Sequence, residues 1–318
     1  MTFKAAVVQD AGVLFDPAAA VEKVEYWARQ AKEAGASLVV FPEVFVGGYP
    51  KGIDFGIRLG MRSAEGRKVY RRYFEGSIEL DTEPAIRLAN IAADYDLHMV
   101  VGVLERLGGT LHCATWSFDN HGDMTGIHRK LMPTAMERCI WGFGDGTTMS
   151  VMDTALGRVG TAICWENYMP LYRTSMYEQG VELYCAPTVD DRDNWQHSIR
   201  HIALEGRCFV FSSCQYLTRA GMPEDLTPIQ GDDPDTVLIR GGSTIISPLG
   251  DVLAGPVYNE STLLTADIDL GEIAEGKFDL DVVGHYSRPD IFQLKIQDRD
   301  EEFVSDLDEE VFGPFDHI

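Results

Sequence analysis

Apolar residues follow two rhythms along the first forty positions of this chain. Residues 3–9 and the stretch Ala36-Ser37-Leu38-Val39-Val40-Phe41-Pro42 are short apolar runs. Between them Val21, Val24, Trp27, Ala28 and Ala31 recur at helical spacing. The runs predict strands, the second buried on both faces, and the spaced positions predict a helix. Asp16-Pro17 gives that helix an N-cap and a first-turn proline, and Gly35 stops it after about Ala34. Strand, helix and buried strand in succession read as a βαβ unit.

The alternation recurs. Helices are predicted at 84–95, 171–179 and 194–205, and strands at 98–105, 111–119, 159–164, 181–186, 208–215, 240–247 and 262–267. Asn120-His121-Gly122-Asp123 and Pro248-Leu249-Gly250-Asp251 read as turns. No Pro/Gly/Ser-rich linker and no short-period repeat divides the chain, so residues 1–297 read as one α/β domain. Residues 298–318 open with an acidic segment and read as a surface tail.

At 318 residues and 45% hydrophobic, the chain can bury a large core. Fifty acidic residues outweigh 27 basic ones for a net charge of −23. That balance disfavours nucleic acid and anionic membrane surfaces as partners. No run approaches the ~20 apolar residues of a membrane span. The N-terminus lacks the charged, apolar and cleavage regions of a signal peptide. Six irregularly spaced cysteines form neither a disulfide framework nor a CxxC zinc pair. These readings predict a cytoplasmic protein with reduced thiols.

Three polar segments stand beside apolar strands. In Phe41-Pro42-Glu43-Val44-Phe45 a single carboxylate interrupts an apolar run. Desolvation there would raise its pKa toward the range of a general base, although a Glu exposed at a strand end fits the same letters. His128-Arg129-Lys130-Leu131-Met132-Pro133-Thr134, with Glu137 seven residues after Lys130, reads equally as a solvated basic turn. Cys164, at the end of a predicted strand and before Trp165-Glu166-Asn167, is the cysteine whose setting suits a nucleophile. Cys113, Cys139, Cys185, Cys208 and Cys214 read as packed small hydrophobes. A Cys, a Lys and a Glu brought together would make a covalent hydrolase, but spacing alone does not bring them together.

Taken in order, Val40-Phe41-Pro42-Glu43, His128 to Thr134 and Cys164-Trp165-Glu166-Asn167-Tyr168 resemble the three signature segments of the nitrilase (carbon–nitrogen hydrolase) superfamily. The resemblance continues in Glu137-Arg138-Cys139-Ile140-Trp141-Gly142, Asp191 to Gln196, Ala203 to Arg207 and Gly241-Gly242-Ser243. Gly47-Gly48-Tyr49-Pro50 and Cys164 to Leu171 resemble the branch that acts on nitriles. The resemblance implies a four-layer αββα sandwich, two mixed sheets flanked by helices. It implies that Glu43 is the base, Cys164 the nucleophile, Lys130 the stabiliser of developing negative charge, and Glu137 the residue that orients Lys130 and water. The backbone N–H of Trp165 would share the stabilisation.

Tyr49, Thr134, Trp141, Tyr168, Thr188 and Trp195 lie in or beside the matching segments as candidates to line the substrate pocket. For each, a core or interface role fits as well. Hydrolysis of a nitrile to acid and ammonia through a thioimidate and a thioester would need no metal or organic cofactor. The resemblance also implies a homodimer, with higher assembly or a spiral open. An aliphatic amidase or a cyanide-degrading hydrolase is the neighbouring alternative. A non-catalytic binding or scaffold protein is the alternative of another class.

Overall fold

Residues 1–296 are described by the computed structural model, so the expected surface tail at 298–318 lies outside the described residues. The first unit follows the predicted order: β1 (Thr2–Gln9), α1 (Pro17–Glu33) and β2 (Ala36–Val40). Asp16 caps α1 by accepting from the Ala19 N–H at 2.9 Å. A small ribbon of β3 (Ile57–Arg58) and β4 (Met61–Arg62) comes next, and then α2 (Ala64–Glu75) and α3 (Glu83–Asp94). Strands β5 (His98–Leu107), β6 (Thr110–Phe118) and β7 (Met124–Arg129) close the first half. The second half runs β8 (Met152–Thr154), β9 (Gly157–Thr161), α4 (Pro170–Glu178), β10 (Leu183–Thr188) and α5 (Asp193–Gly206). It ends with β11 (Phe209–Cys214), β12 (Tyr216–Thr218), β13 (Val237–Ile246), β14 (Val252–Tyr258), β15 (Thr262–Asp269) and α6 (Gly271–Lys277). Residues Met1–Ser287 form one compact unit; a second, Arg288–Ile318, is described only over 288–296.

The strands make two mixed sheets, ordered β15-β1-β2-β5-β6-β7 and β12-β13-β11-β10-β9-β8, with β14 beside β13. Alternation within each strand decides which layer a residue joins. Ala5 and Val7 of β1, with Leu38 and Val40 of β2, meet Leu183, Cys185, Phe209, Phe211 and Ile245 of the other sheet. Their neighbours Ala6, Val8 and Val39 face the opposite way, onto Val21, Val24 and Ala28 of α1 and Leu88 of α3. On the far side Tyr184, Ala186 and Val210 pack under Met176 of α4 and Ile199 and Ala203 of α5. The layers are therefore helix, sheet, sheet, helix, as the resemblance implied. Strands buried on both faces explain the continuous apolar runs of the sequence.

Boundaries shift from the predictions where chemistry intrudes. The strand predicted to reach Cys164 stops at Thr161, and a 3₁₀ turn spans Cys164–Tyr168. The strand predicted at 181–186 runs Leu183–Thr188. Strand β7 was not predicted, because its mostly half-buried positions show no clean alternation to announce the pairing with β6. Helix α2 buries only Gly66 and Tyr73, too little apolar surface to show as a periodic face. Cys139 corrects its expectation: it ends an exposed 3₁₀ turn and does not pack in the core.

Candidate functional site

Carboxyl ends of parallel strands from both sheets converge on one region, the place where open α/β sheets form their sites. Glu43 hangs on an arch that leaves β2 and returns to the sheet. The Phe41 N–H still bonds Val100 O at 2.8 Å, Pro42 has no N–H to continue the ladder, and pairing resumes at Val46 with Gly102 O at 3.0 Å. Val44 turns the arch at φ +47°, a strained conformation for a β-branched residue. Gly102 of β5 gives the arch room, since a Cβ there would lie 2.0 Å from Pro42 O and 2.8 Å from Glu43 Cα.

This arch carries Glu43 into full burial. Its Oε1 accepts from Lys130 Nζ at 2.7 Å and from the Cys113 thiol at 3.4 Å. Its Oε2 is buried without a hydrogen-bond partner among the described residues. Burial, helped by Glu137, outweighs the Lys130 charge and raises the Glu43 pKa above 4.5.

Lys130 follows β7 directly, with its N–H on Cys113 O at 2.9 Å and its carbonyl taking the Gly144 N–H at 2.8 Å. The buried ammonium bonds Glu43 and, at 2.9 Å, Glu137 Oε2. Burial would lower its pKa, but Glu43, the two thiols of Cys164 and Cys113, and Glu137 together raise it well above 10.5. Lys130 is thus held as a permanent cation. Glu137 also accepts from the Thr134 N–H at 2.6 Å and from Tyr49 Oη at 2.7 Å, which fixes both its oxygens.

Cys164 opens the 3₁₀ turn at φ +51°, a left-handed conformation that costs a non-glycine residue energy. The residue is 3% exposed, and its sulfur accepts from Thr188 Oγ1 at 3.2 Å. Burial and the Glu43 charge push the thiol pKa well up, against the opposing charge of Lys130. That direction favours the protonated thiol at rest.

A second buried carboxylate ties these segments together. Glu166 Oε1 accepts from the N–H of Leu131, next to Lys130, at 2.6 Å. Its Oε2 accepts from the N–H of Ile163, next to Cys164, at 2.7 Å. His128 Nε2 lies 2.9 Å from the same Oε2. Gln215 likewise reaches across, donating from Nε2 to Glu43 O at 2.7 Å. Glu166, Cys113 and Gln215 were missed as site residues. Glu166 sits within a matched segment and Cys113 and Gln215 in none, and nothing in their spacing announces a partner in another strand.

Beside Glu137 opens a cavity of about 830 Å³. Of the six pocket candidates, Tyr49, Thr134 and Trp141 line it. Thr188 instead touches the Cys164 sulfur. Trp195 does not reach the cavity: it is fully buried on the inner face of α5, with Nε1 donating to Ser212 Oγ at 2.8 Å. Tyr168 lines a smaller, separate cavity of about 340 Å³ with Arg173 and His201. The large cavity also takes its wall from residues 50–69 and 225–229, stretches with no sequence signal for a site. Among the described residues no group of three His, Cys, Asp or Glu is arranged to hold a metal ion.

Residues 4–278 match the family model described as carbon–nitrogen hydrolase. The chain is 53% identical to a nitrilase of Bradyrhizobium diazoefficiens, over 96% of this chain and 95% of that one. It belongs to the carbon–nitrogen hydrolase family, on its nitrilase branch. It is also 52% identical to an aliphatic nitrilase of Sinorhizobium fredii, over 93% of this chain and 96% of that one. A bifunctional nitrilase/nitrile hydratase of Nicotiana tabacum is 50% identical over 93% and 86%. Among solved structures, the C. elegans NitFhit protein superimposes with a TM-score of 0.70 at 19% identity, covering 92% of this chain and 66% of that one. A Helicobacter pylori carbon–nitrogen hydrolase gives 0.68 at 20% identity, over 88% and 93%. These two likenesses speak for the fold of the family.

Proposed function

We propose that this protein hydrolyses a nitrile to the carboxylic acid and ammonia, with Cys164 as the nucleophile. The observation that carries the reading is the free oxygen of Glu43. Lys130 and Cys113 engage Oε1, and Oε2 is left as a buried acceptor with a raised pKa beside a protonated thiol. A carboxylate in that state suits a general base, and the nearby relatives named as nitrilases support the nitrile as substrate.

As sulfur bonds the nitrile carbon, Glu43 Oε2 takes the thiol proton and passes it to nitrogen, giving a thioimidate. Water adds to that carbon, delivering its proton by way of Glu43, and the tetrahedral intermediate expels ammonia. A second water cleaves the resulting thioester to acid and restores the thiol. Lys130, a permanent cation, offers charge and hydrogen bonds to the developing anion and stays protonated throughout. Glu137 is a positioning residue that acts through Lys130. The Trp165 N–H, adjoining Cys164, is assigned a share of the anion. If the tetrahedral intermediate expels sulfur in place of ammonia, an amide leaves, a branch compatible with the bifunctional name of the tobacco relative. Free thiols at all six cysteines support a reducing, cytoplasmic setting.

The test is release of ammonia and acid over a panel of aliphatic, aromatic and arylacetonitriles, with the matching amides alongside. Turnover of nitriles by the wild type, and its loss in Cys164→Ala, is the expected result. Turnover of amides alone would overturn the nitrile reading.

A further inference from the structure

We propose that the 830 Å³ cavity is where the organic group of the substrate sits, and that it selects uncharged, bulky apolar groups over anionic ones. This rests on the nitrile reading above and sharpens it to a substrate class.

Position comes first. Glu137 and Trp141 line the cavity and also meet Lys130, by a 2.9 Å ion pair and with Nζ 5.8 Å from the ring centroid. Trp141, Phe55 and Leu226 share one packed cluster with Cys164. The inner end of the cavity therefore abuts the Cys164, Lys130 and Glu43 constellation. Its volume lies within the range of small-molecule sites, far above what a one- or two-carbon nitrile fills.

Lining chemistry comes second. Ile53, Phe55, Val69, Ile140, Trp141 and Leu226 supply an apolar wall. Thr134 Oγ1, also on the wall, is buried and has no hydrogen-bond partner among the described residues. That offers a polar contact for an otherwise apolar ligand. The charged residues of the wall are Asp54, Glu65, Glu137 and Asp225, with no Lys, Arg or His among them. Lys68 and Arg72, which border this wall, are already paired with Glu65 and Asp225, and Lys51 lies between its residues Pro50 and Gly52 without lining it. A carboxylate on the substrate would face four carboxylates on the wall, and Lys130 at the inner end is already held by Glu43 and Glu137. A neutral ring escapes that repulsion and keeps the apolar contacts.

The experiment compares phenylacetonitrile with its para-carboxylate and para-aminomethyl analogues, by kcat/KM for ammonia release. The three matching amides run in parallel. The carboxylate analogue is expected to be at least 30-fold poorer than the neutral compound, and the aminomethyl analogue within about 5-fold of it. The order must hold in whichever series turns over. Loss of the nitrile series alone therefore refutes the nitrile reading and still tests the cavity. A carboxylate analogue as good as the neutral one overturns the selection by charge. Val69→Trp, which narrows the wall, is expected to lower the kcat/KM ratio of phenylacetonitrile to propanenitrile at least 10-fold. An unchanged ratio would mean that the organic group lies elsewhere.

Discussion

Glu43 and Glu166 are both buried glutamates, at 0% and 1% exposure, and they live opposite lives. Both oxygens of Glu166 are filled by donors, the N–H groups of Leu131 and Ile163 and the ring of His128. A carboxylate saturated in this way is a buckle. It joins the strand end that carries Lys130 to the turn that carries Cys164, and it has no capacity left for chemistry. Glu43 has a cation and a weak thiol donor on one oxygen and nothing on the other. Its surroundings raise its pKa, and they leave an acceptor ready for a proton. Residue type and burial do not separate scaffold from reagent here; the unfilled lone pairs do.

Removing the cation breaks this contrast most severely. Lys130→Met leaves Glu43 and Glu137 facing each other without compensation, and is expected to cost about 3–5 kcal/mol in denaturant unfolding besides all measurable turnover. Among the described residues Glu166 has no Lys or Arg partner, so no comparable charge deletion exists on that side. Gly102→Ala is next. The added Cβ must push the Pro42–Glu43 backbone, and a shift near 1 Å predicts a loss of about 10–100-fold in kcat with the second sheet untouched.

A pH titration sharpens the contrast further. Because the folded pKa of Glu43 is raised above 4.5, its stabilising effect is full below that value and is lost as pH climbs through the raised one. Melting temperature measured from pH 4 to 8 should show this fall in the wild type and not in Glu43→Gln. The acid limb of kcat should likewise lie above the ordinary glutamate range. Smallest is Cys113→Ala, which removes one weak donor from the oxygen that Lys130 keeps. A change in kcat of less than about 10-fold is expected, since thiols donate poorly.

Much of this could be read from the chain before any coordinates. Continuous apolar runs and Asp16-Pro17 announced strands buried on both faces and a capped helix, because burial and capping act locally. Glu43 stood out as a carboxylate in an apolar run and Cys164 as a thiol at a strand end, while Lys130, in a segment that reads equally as a solvated turn, was marked by the family resemblance. What stayed hidden depends on contacts between distant segments. Glu166 looks like any acid after a cysteine until Leu131 and Ile163 are brought to it. Gly102 looks like an ordinary strand glycine until the Glu43 arch lies against it. Trp195 lies in a matched segment, yet it serves the α5 core, where its indole meets Ser212. Much of the wall of the large cavity is drawn from loops and from α2, whose residues carry no clear periodic pattern.

The most direct test sets Glu43→Gln beside Glu166→Gln, reading kcat per titrated Cys164 together with the free energy of unfolding. Glu43→Gln keeps an acceptor for Lys130 and loses the proposed base, so kcat should fall about 10²–10⁴-fold while stability changes little. Glu166→Gln turns an amide N–H toward a backbone N–H, so it should cost about 1–3 kcal/mol of stability and a smaller factor in kcat. The reverse pattern, with Glu166→Gln stable but inactive and Glu43→Gln active but unstable, would contradict the assignment of base and buckle.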